Sequence, residues 1–227
     1  MKFKSSVFTQ VSGSVGGLTY AHNQNGMYVR SRAVPTNPLS PAQQTIREAM
    51  ADAQVAWKAL SAGARTAWNA YAAGTPVTDS LGNSQHLTGL AMFLRQHVSR
   101  YQTGQTPITV GPSTMGLSGL NDLAVAQHLA QDAYDVSYDP ASEWAITTGG
   151  YMAVYQSPPK SPTVNFYKGP FKFAGVLPGS TGAPPASPFF VGSLYALVSG
   201  QRYFLRVIAV DSEGRMSAEQ FLILDVP

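Results

Sequence analysis

A chain of 227 residues exceeds the usual size of one domain, so two domains are the expectation, and 44% hydrophobic residues supply enough apolar side chain for real cores. Charged residues make up only 12%, about half the usual share, while 21 Gly and 16 Pro favour a loop-rich β protein or one that buries much of its surface against partners. Cysteine is absent, which excludes disulfides and thiolate metal sites. The start Met1-Lys2-Phe3-Lys4-Ser5-Ser6 is followed by no long apolar run, so neither a signal peptide nor a membrane span is expected, and the protein reads as soluble and made in the cytoplasm.

The net charge of +3 hides an asymmetry. Residues 1–103 carry nine Lys/Arg against three acids, a net of +6, and the remainder carries six against nine, a net of −3. A basic first half can meet nucleic acid or an acidic protein surface. The bases stand singly, with no Lys/Arg run and no basic-aromatic platform, which argues against nucleic acid as the partner.

Along the chain, Ser12-Gly13-Ser14-Val15-Gly16-Gly17 lacks the Lys-Ser/Thr of a phosphate loop and reads as a flexible turn or a close backbone contact. Leu18–His22 and Met27–Arg32 read as a hairpin about Asn25-Gly26, since a type I′ turn needs positive φ at both central positions. Tyr28, Arg30 and Arg32 alternate with Met27, Val29 and Ser31, the period of a strand with one polar face. Pro35, Pro38 and Pro41 then remove backbone donors and leave an extended arm. Residues 1–39 are therefore an arm and hairpin with too little local apolar sequence to stand alone, and Tyr28, Arg30, Arg32, Pro35 and Pro38 are the candidate interface residues.

Residues 40–103 read as a three-helix domain. Ser40-Pro41-Ala42-Gln43 has the form of a capping-box start. Ile46, Met50, Ala53, Trp57 and Leu60 share one face of the helix that follows. Ser61 caps a second helix carrying Ala64, Trp68 and Tyr71, and Gly74 and Pro76 stop it. Trp57 and Trp68 are the candidate core of this helical hairpin. A DNA-reading hairpin would line its second helix with basic and amide groups, whereas Ala62–Ala73 offers only Arg65 and Asn69. Thr88 caps a third helix with Leu90, Phe93, Leu94, His97, Val98 and Tyr101 on one face, His97 being read as a core or boundary histidine.

Residues 104–118, rich in Thr, Gly, Pro and Ser, read as an inter-domain linker. From 119 to 227 short strands alternate with turns: Ala124–His128, Ala133–Tyr138, Tyr151–Gln156, Thr163–Tyr167, Phe171–Val176, Phe189–Leu194, Gln201–Asp211 and Ala218–Val226, the spacing of an antiparallel β-sandwich. Residues 177–188 and Pro158–Pro162 read as exposed loops. The fold class is thus α+β and multidomain.

The residues carry no pattern of catalysis. His22, His86, His97 and His128 lie far apart without ligand spacing. Asp132, Asp135 and Asp139 lack the Gly and terminal Glu of a calcium loop and read as solvated turns. No serine has the Gly-x-Ser-x-Gly spacing of a nucleophile elbow. No enzyme, cofactor or metal is expected.

Two resemblances add to this reading. Gly-Ser-Val-Gly-Gly, then Tyr28-Val29-Arg30-Ser31-Arg32-Ala33-Val34-Pro35-Thr36-Asn37-Pro38, then Pro-Ala-Gln-Gln through Ala-Trp-Lys-Ala-Leu-Ser to Arg-Thr-Ala-Trp-Asn-Ala-Tyr-Ala resembles a family of tailed-bacteriophage and prophage virion structural proteins, over roughly residues 10–105. It implies a head-associated role, capsid decoration or head-to-tail, with major capsid or connector proteins as partners and the chain present in repeated copies. Ser199–Gly214 resembles the last third of a fibronectin type III domain, with Tyr203 where such a domain has its tyrosine corner, which implies an Ig-like sandwich. The alternative is a receptor- or glycan-binding module of a phage tail or fibre, for which Phe189, Phe190 and Tyr151 are the candidate aromatics.

Overall fold

The structure is a computed structural model that describes residues 11–23, 26–78, 83–114, 116–117, 119–128 and 132–227. It is mixed, with three helices and several antiparallel sheets among the described residues. The chain divides into two compact units, residues 1–41 and 42–227. The helices and the later strands, expected as separate domains, fall within one unit.

In the first unit, β1 (Gly13–Val15), β2 (Leu18–Asn23) and β3 (Gly26–Ser31) form a sheet of that order. The Gly-rich stretch is thus a strand and its turn. Val15 pairs with Leu18, and Gly16 and Gly17 lie between them at φ +55° and +87°, the doubly positive pattern of a type I′ hairpin turn that only glycine adopts without strain. The second hairpin pairs Asn23 with Gly26, so Gly26 opens β3, and the expected turn about Asn25 lies outside the described residues. Residues 32–40 have no regular structure, as their prolines dictate.

The second unit begins with α1 (Pro41–Ala59), α2 (Ala62–Gly74) and α3 (Gly89–Thr103), with a two-residue pairing of β4 (Val77–Thr78) and β5 (Ser84–Gln85) between the last two. Ser61 Oγ accepts from Ala64 N at 3.2 Å and Thr88 Oγ1 from Ala91 N at 3.2 Å, the N-caps that the sequence predicts. Gly104, left-handed at φ 71°, ends α3. Trp68, Tyr71, Met92 and Phe93 are buried together, with Trp68 edge-on to Phe93 at 5.6 Å. Trp57 is only half-buried, tilted against Phe93 at 5.5 Å. Met50, expected on the inner face, is exposed at 37%. The buried line of α1 runs through Ala49, Ala53 and Leu60, so the helix lies closer on alanines than a methionine face would allow.

Among the described residues seven strands follow: β6 (Ala124–His128), β7 (Ala133–Ser137), β8 (Tyr151–Gln156), β9 (Lys172–Pro178), β10 (Phe189–Gly192), β11 (Arg202–Val210) and β12 (Gln220–Asp225). They make two antiparallel sheets, β10-β7-β6 and β12-β11-β8-β9. One core fills the space between, from Tyr134, Val136 and Val191 on the first to Met152, Val154, Tyr203, Leu205, Val207 and Leu224 on the second, with Trp144 from the β7–β8 connection. The Tyr203 hydroxyl donates to Ala196 O at 2.6 Å and accepts from Val198 N at 3.2 Å, pinning the chain ahead of its strand. Gly179 touches the Trp144 carbonyl so closely that a Cβ there would stand 2.0 Å from the oxygen. This anchors one end of the loop expected to be exposed, most of whose residues are exposed, and Tyr138 OH donates to Pro185 O farther along it.

Thr163–Tyr167, expected as a strand, is not one. Its backbone is held by a side chain instead, since Arg202 donates to Val164 O at 3.0 Å, while Tyr167 stacks on Phe204 at 5.8 Å.

The outer face of the four-stranded sheet forms a second apolar cluster with Tyr151, Ala153, Tyr155, Ile208 and Val210. Helix α3 lies on it. Tyr151 OH donates to Ser99 Oγ at 2.8 Å, and Arg100 sits over the Tyr151 ring, 5.4 Å from its centre. Every residue of β8 is consequently buried. The described residues of 104–118, a stretch expected as a linker, are irregular but packed. Arg100 donates to Thr106 O, Gln96 to Ile108 O and Arg215 to Gly116 O, and Gly111 lies against Ala67 and Trp68.

Candidate interface

Among its described residues the first unit is a two-faced sheet without a core. Directly paired residues share a face, so the register places Val15, Leu18, Tyr20, His22, Met27 and Val29 on one side and Ser14, Thr19, Ala21, Tyr28 and Arg30 on the other. The 2.8 Å contact between Ser14 Oγ and Thr19 Oγ1 lies on the polar side. None of the described residues from 11 to 41 is buried, and Val15 and Leu18 on the apolar side are exposed. Of the predicted interface residues, Tyr28 and Arg30 share the polar face; Tyr28 is half-buried and Arg30 exposed. Arg32 lies one residue past β3, where its N–H donates to Gly17 O at 2.7 Å. Pro35 and Pro38 are exposed in the irregular arm. The strand period was legible in the sequence; the third strand was hidden by its glycines.

The second unit carries a groove of about 550 Å³ lined by Tyr71, Val77, Met92, Leu117, Met216 and Phe221. At its rim Glu219 stands between Arg95 at 3.6 Å and Arg206 at 3.7 Å. Arg206 in turn lies over the Tyr155 ring at 4.5 Å. Beside it the outer face of β12 shows Phe221 and Ile223, exposed at 54% and 45%. Of the aromatics expected for a glycan site, Tyr151 is fully buried under α3 and cannot serve; Phe190 is exposed but meets His128 edge-on at 5.1 Å. Phe166, which the sequence did not single out, is the most exposed of the large aromatics named here, at 77%.

The polar groups that the sequence left unassigned meet where α3 joins the sheet. Arg100 is buried and donates to the carbonyls of Asp211 at 2.6 Å, Gly149 at 3.0 Å and Thr106 at 3.1 Å. Burial pulls its guanidinium below the ordinary value. Arg215 bonds the buried Asp211 carboxylate and Glu143. Burial pulls Arg215 down, and the two carboxylates outweigh it and hold it above its ordinary value. Glu213 accepts from Ser113 N and Oγ. Three of these pairs, Arg215–Glu143, Ser113–Glu213 and Arg100–Asp211, lie 72, 100 and 111 residues apart, a span no motif reveals. The three aspartates that lack the pattern of a calcium loop each have a separate structural contact: Asp132 accepts from Leu197 N, Asp135 meets His128, and Asp139 accepts from Ala141 N. Among the described residues no group of three or more His, Asp or Glu is placed to hold a metal ion, and no helix is long and apolar enough to cross a membrane.

No family model matches the chain, and no curated protein matches it. Among solved structures it is similar over 52% of its length to a beta-1,2-glucanase from Parabacteroides distasonis, at 16% identity and TM-score 0.29, covering 14% of that chain. It is similar over 52% of its length to the third fibronectin III domain of the human KIAA0343 protein, at 14% identity and TM-score 0.29, covering 89% of that chain. At these scores neither likeness bears on what this chain does.

Proposed function

We propose that the chain is a non-enzymatic structural component of a tailed-phage virion, head-associated as a capsid decoration or head-to-tail protein, held by contacts with major capsid or connector subunits. The observation that carries the reading is the first unit: a sheet with one apolar and one polar face, followed by an exposed proline arm, in which no described residue is buried. Such an element gains its stability by burying that face against a neighbour. The second unit is the self-contained body, read as an Ig-like, fibronectin III-like sandwich. Its strand order, with β6, β7 and β10 in one sheet and β9, β8, β11 and β12 in the other, and the backward bond of Tyr203 OH support that reading.

The test uses the whole chain, because a cut near Gly104 would strip Arg100 of Asp211. Val15→Glu with Leu18→Glu puts charge on the exposed apolar side of the first unit. Particles purified from the phage or prophage that encodes the chain should contain the native protein and lose most of the variant, while the melting temperature of the isolated variant is unchanged. Absence of the native protein from particles, or equal incorporation of the variant, refutes the reading. High-affinity binding of host cells by the free protein would favour the receptor-binding alternative.

A further inference from the structure

We propose that β12 is a dimerisation strand, pairing antiparallel with β12 of a second copy of this chain about a two-fold axis at Leu222. Sheet edges are usually blunted by lysine, proline or a bulge. The far edge of the same sheet has such devices: β9 begins at Lys172, ends at Pro178 and meets β8 through a register shift at Val154/Tyr155. β12 has none. From Gln220 to Asp225 it reads Gln-Phe-Leu-Ile-Leu-Asp, in unbroken register with β11. Among the described residues it hydrogen-bonds no strand on its other side, although β6 comes near it.

The strand's own pattern selects the partner. A two-fold axis at Leu222 sets Phe221 opposite the second copy's Ile223, and Ile223 opposite its Phe221. The two exposed apolar residues of each copy thereby cover one another on the outer face. The acids that come opposite at the ends are already neutralised: Glu219 lies between Arg95 and Arg206, and Asp225 is held by Arg202 through two bonds of 2.5 and 2.9 Å. The loop over this end is fixed before any partner arrives, since Arg202 also holds Val164 O and Asn165 Oδ1 and Tyr167 stacks on Phe204, the cross-strand neighbour of Ile223. A strand added here meets an ordered surface, which lowers the entropy cost of association.

The absence of cysteine makes the register directly readable. Residues directly opposite in an antiparallel pair stand about 4.5–5.5 Å apart and diagonal ones about 7–8 Å, and a disulfide spans Cα separations of about 4.4–6.8 Å. An equimolar mixture of Phe221→Cys and Ile223→Cys chains should therefore form disulfide dimers under mild oxidation, while either variant alone forms few. Light scattering on the unmodified chain should show dimer, and Ile223→Lys, at an exposed position, should return it to a monomer that still unfolds cooperatively, at a melting temperature that no longer depends on protein concentration. A monomer at every concentration, a dimer that survives Ile223→Lys, or single variants that cross-link as readily as the mixture would each overturn the proposal. The pairing does not rest on the virion reading: absence from particles leaves it standing, and a failed cross-link leaves that reading standing.

Discussion

Replacing Arg100 by Met tests whether the helices and the strands are one cooperative body. The guanidinium is buried and bonds three backbone carbonyls, Asp211 O, Gly149 O and Thr106 O, two of them on the strand side of the unit. Methionine fills most of the space and satisfies none of them. A buried acceptor left without its donor costs about 1–3 kcal/mol. The Asp211 oxygen belongs at the upper end of that range and the partly buried Gly149 and Thr106 oxygens at the lower. Removing a buried charge that has no carboxylate of its own offsets part of the loss, so the expected net destabilisation is roughly 2–4 kcal/mol. For a unit of this size that corresponds to a melting point lower by roughly 5–15 °C. Urea unfolding followed in parallel by helix circular dichroism and by tryptophan fluorescence checks both the size and the cooperativity. Trp57 and Trp68 report the helices and Trp144 the sheets, so the two signals should coincide in the native chain. A loss below about 0.5 kcal/mol, the usual range of a surface substitution, or a helical transition separate from the sheet transition in the native chain, would refute the reasoning.

Two further outcomes follow from burial. Trp68→Ala, at a fully buried site, should cost about 3–5 kcal/mol, and Trp57→Ala at its half-buried site clearly less, where sequence alone treats the two as equal; equal losses in thermal melts would contradict the packing. His97 is buried against Phe93 with its Nδ1 unpartnered among the described groups, and burial lowers its pKa although Asp52 opposes this. The unfolded chain then takes up the proton first, so stability contributed by neutral His97 is intact above about pH 6.5 and is lost as pH falls from there through the folded value. His97→Leu should flatten that decline in denaturation midpoints measured between about pH 7.5 and 5, and an unchanged slope would show that another group carries it.

What could be read from the sequence was local. Ser61 and Thr88 announce their helices because a cap bonds a backbone N–H only three residues away. The alternation from Met27 to Ser31 gives β3 because a period of two needs no knowledge of the partner. Gly16 and Gly17 read as a flexible turn or a close backbone contact, and the requirement they meet, two positive φ values in succession, shows only once the flanking pair is known. Gln96, Ser99, Arg100 and Thr103 lie off the face of α3 that the apolar spacing picks out, and all four are buried. Three of their partners, Gly149, Tyr151 and Asp211, stand 49, 52 and 111 residues away, outside any window a periodicity can scan. Thr163–Tyr167 has strand composition, yet Arg202 holds its backbone from the side.

The bond from Arg100 to Asp211 spans 111 residues, and a ribosome adding ~5–20 residues per second needs roughly 6–20 s to cross that distance. During that interval the finished third helix has Ser99, Arg100 and the rings of its neighbours facing water, with no sheet to receive them. Contacts so distant also slow folding itself, because the loop between them must close before they are rewarded. The helices are made early and completed late: their docking surface exists only after β8 and the end of β11 have emerged.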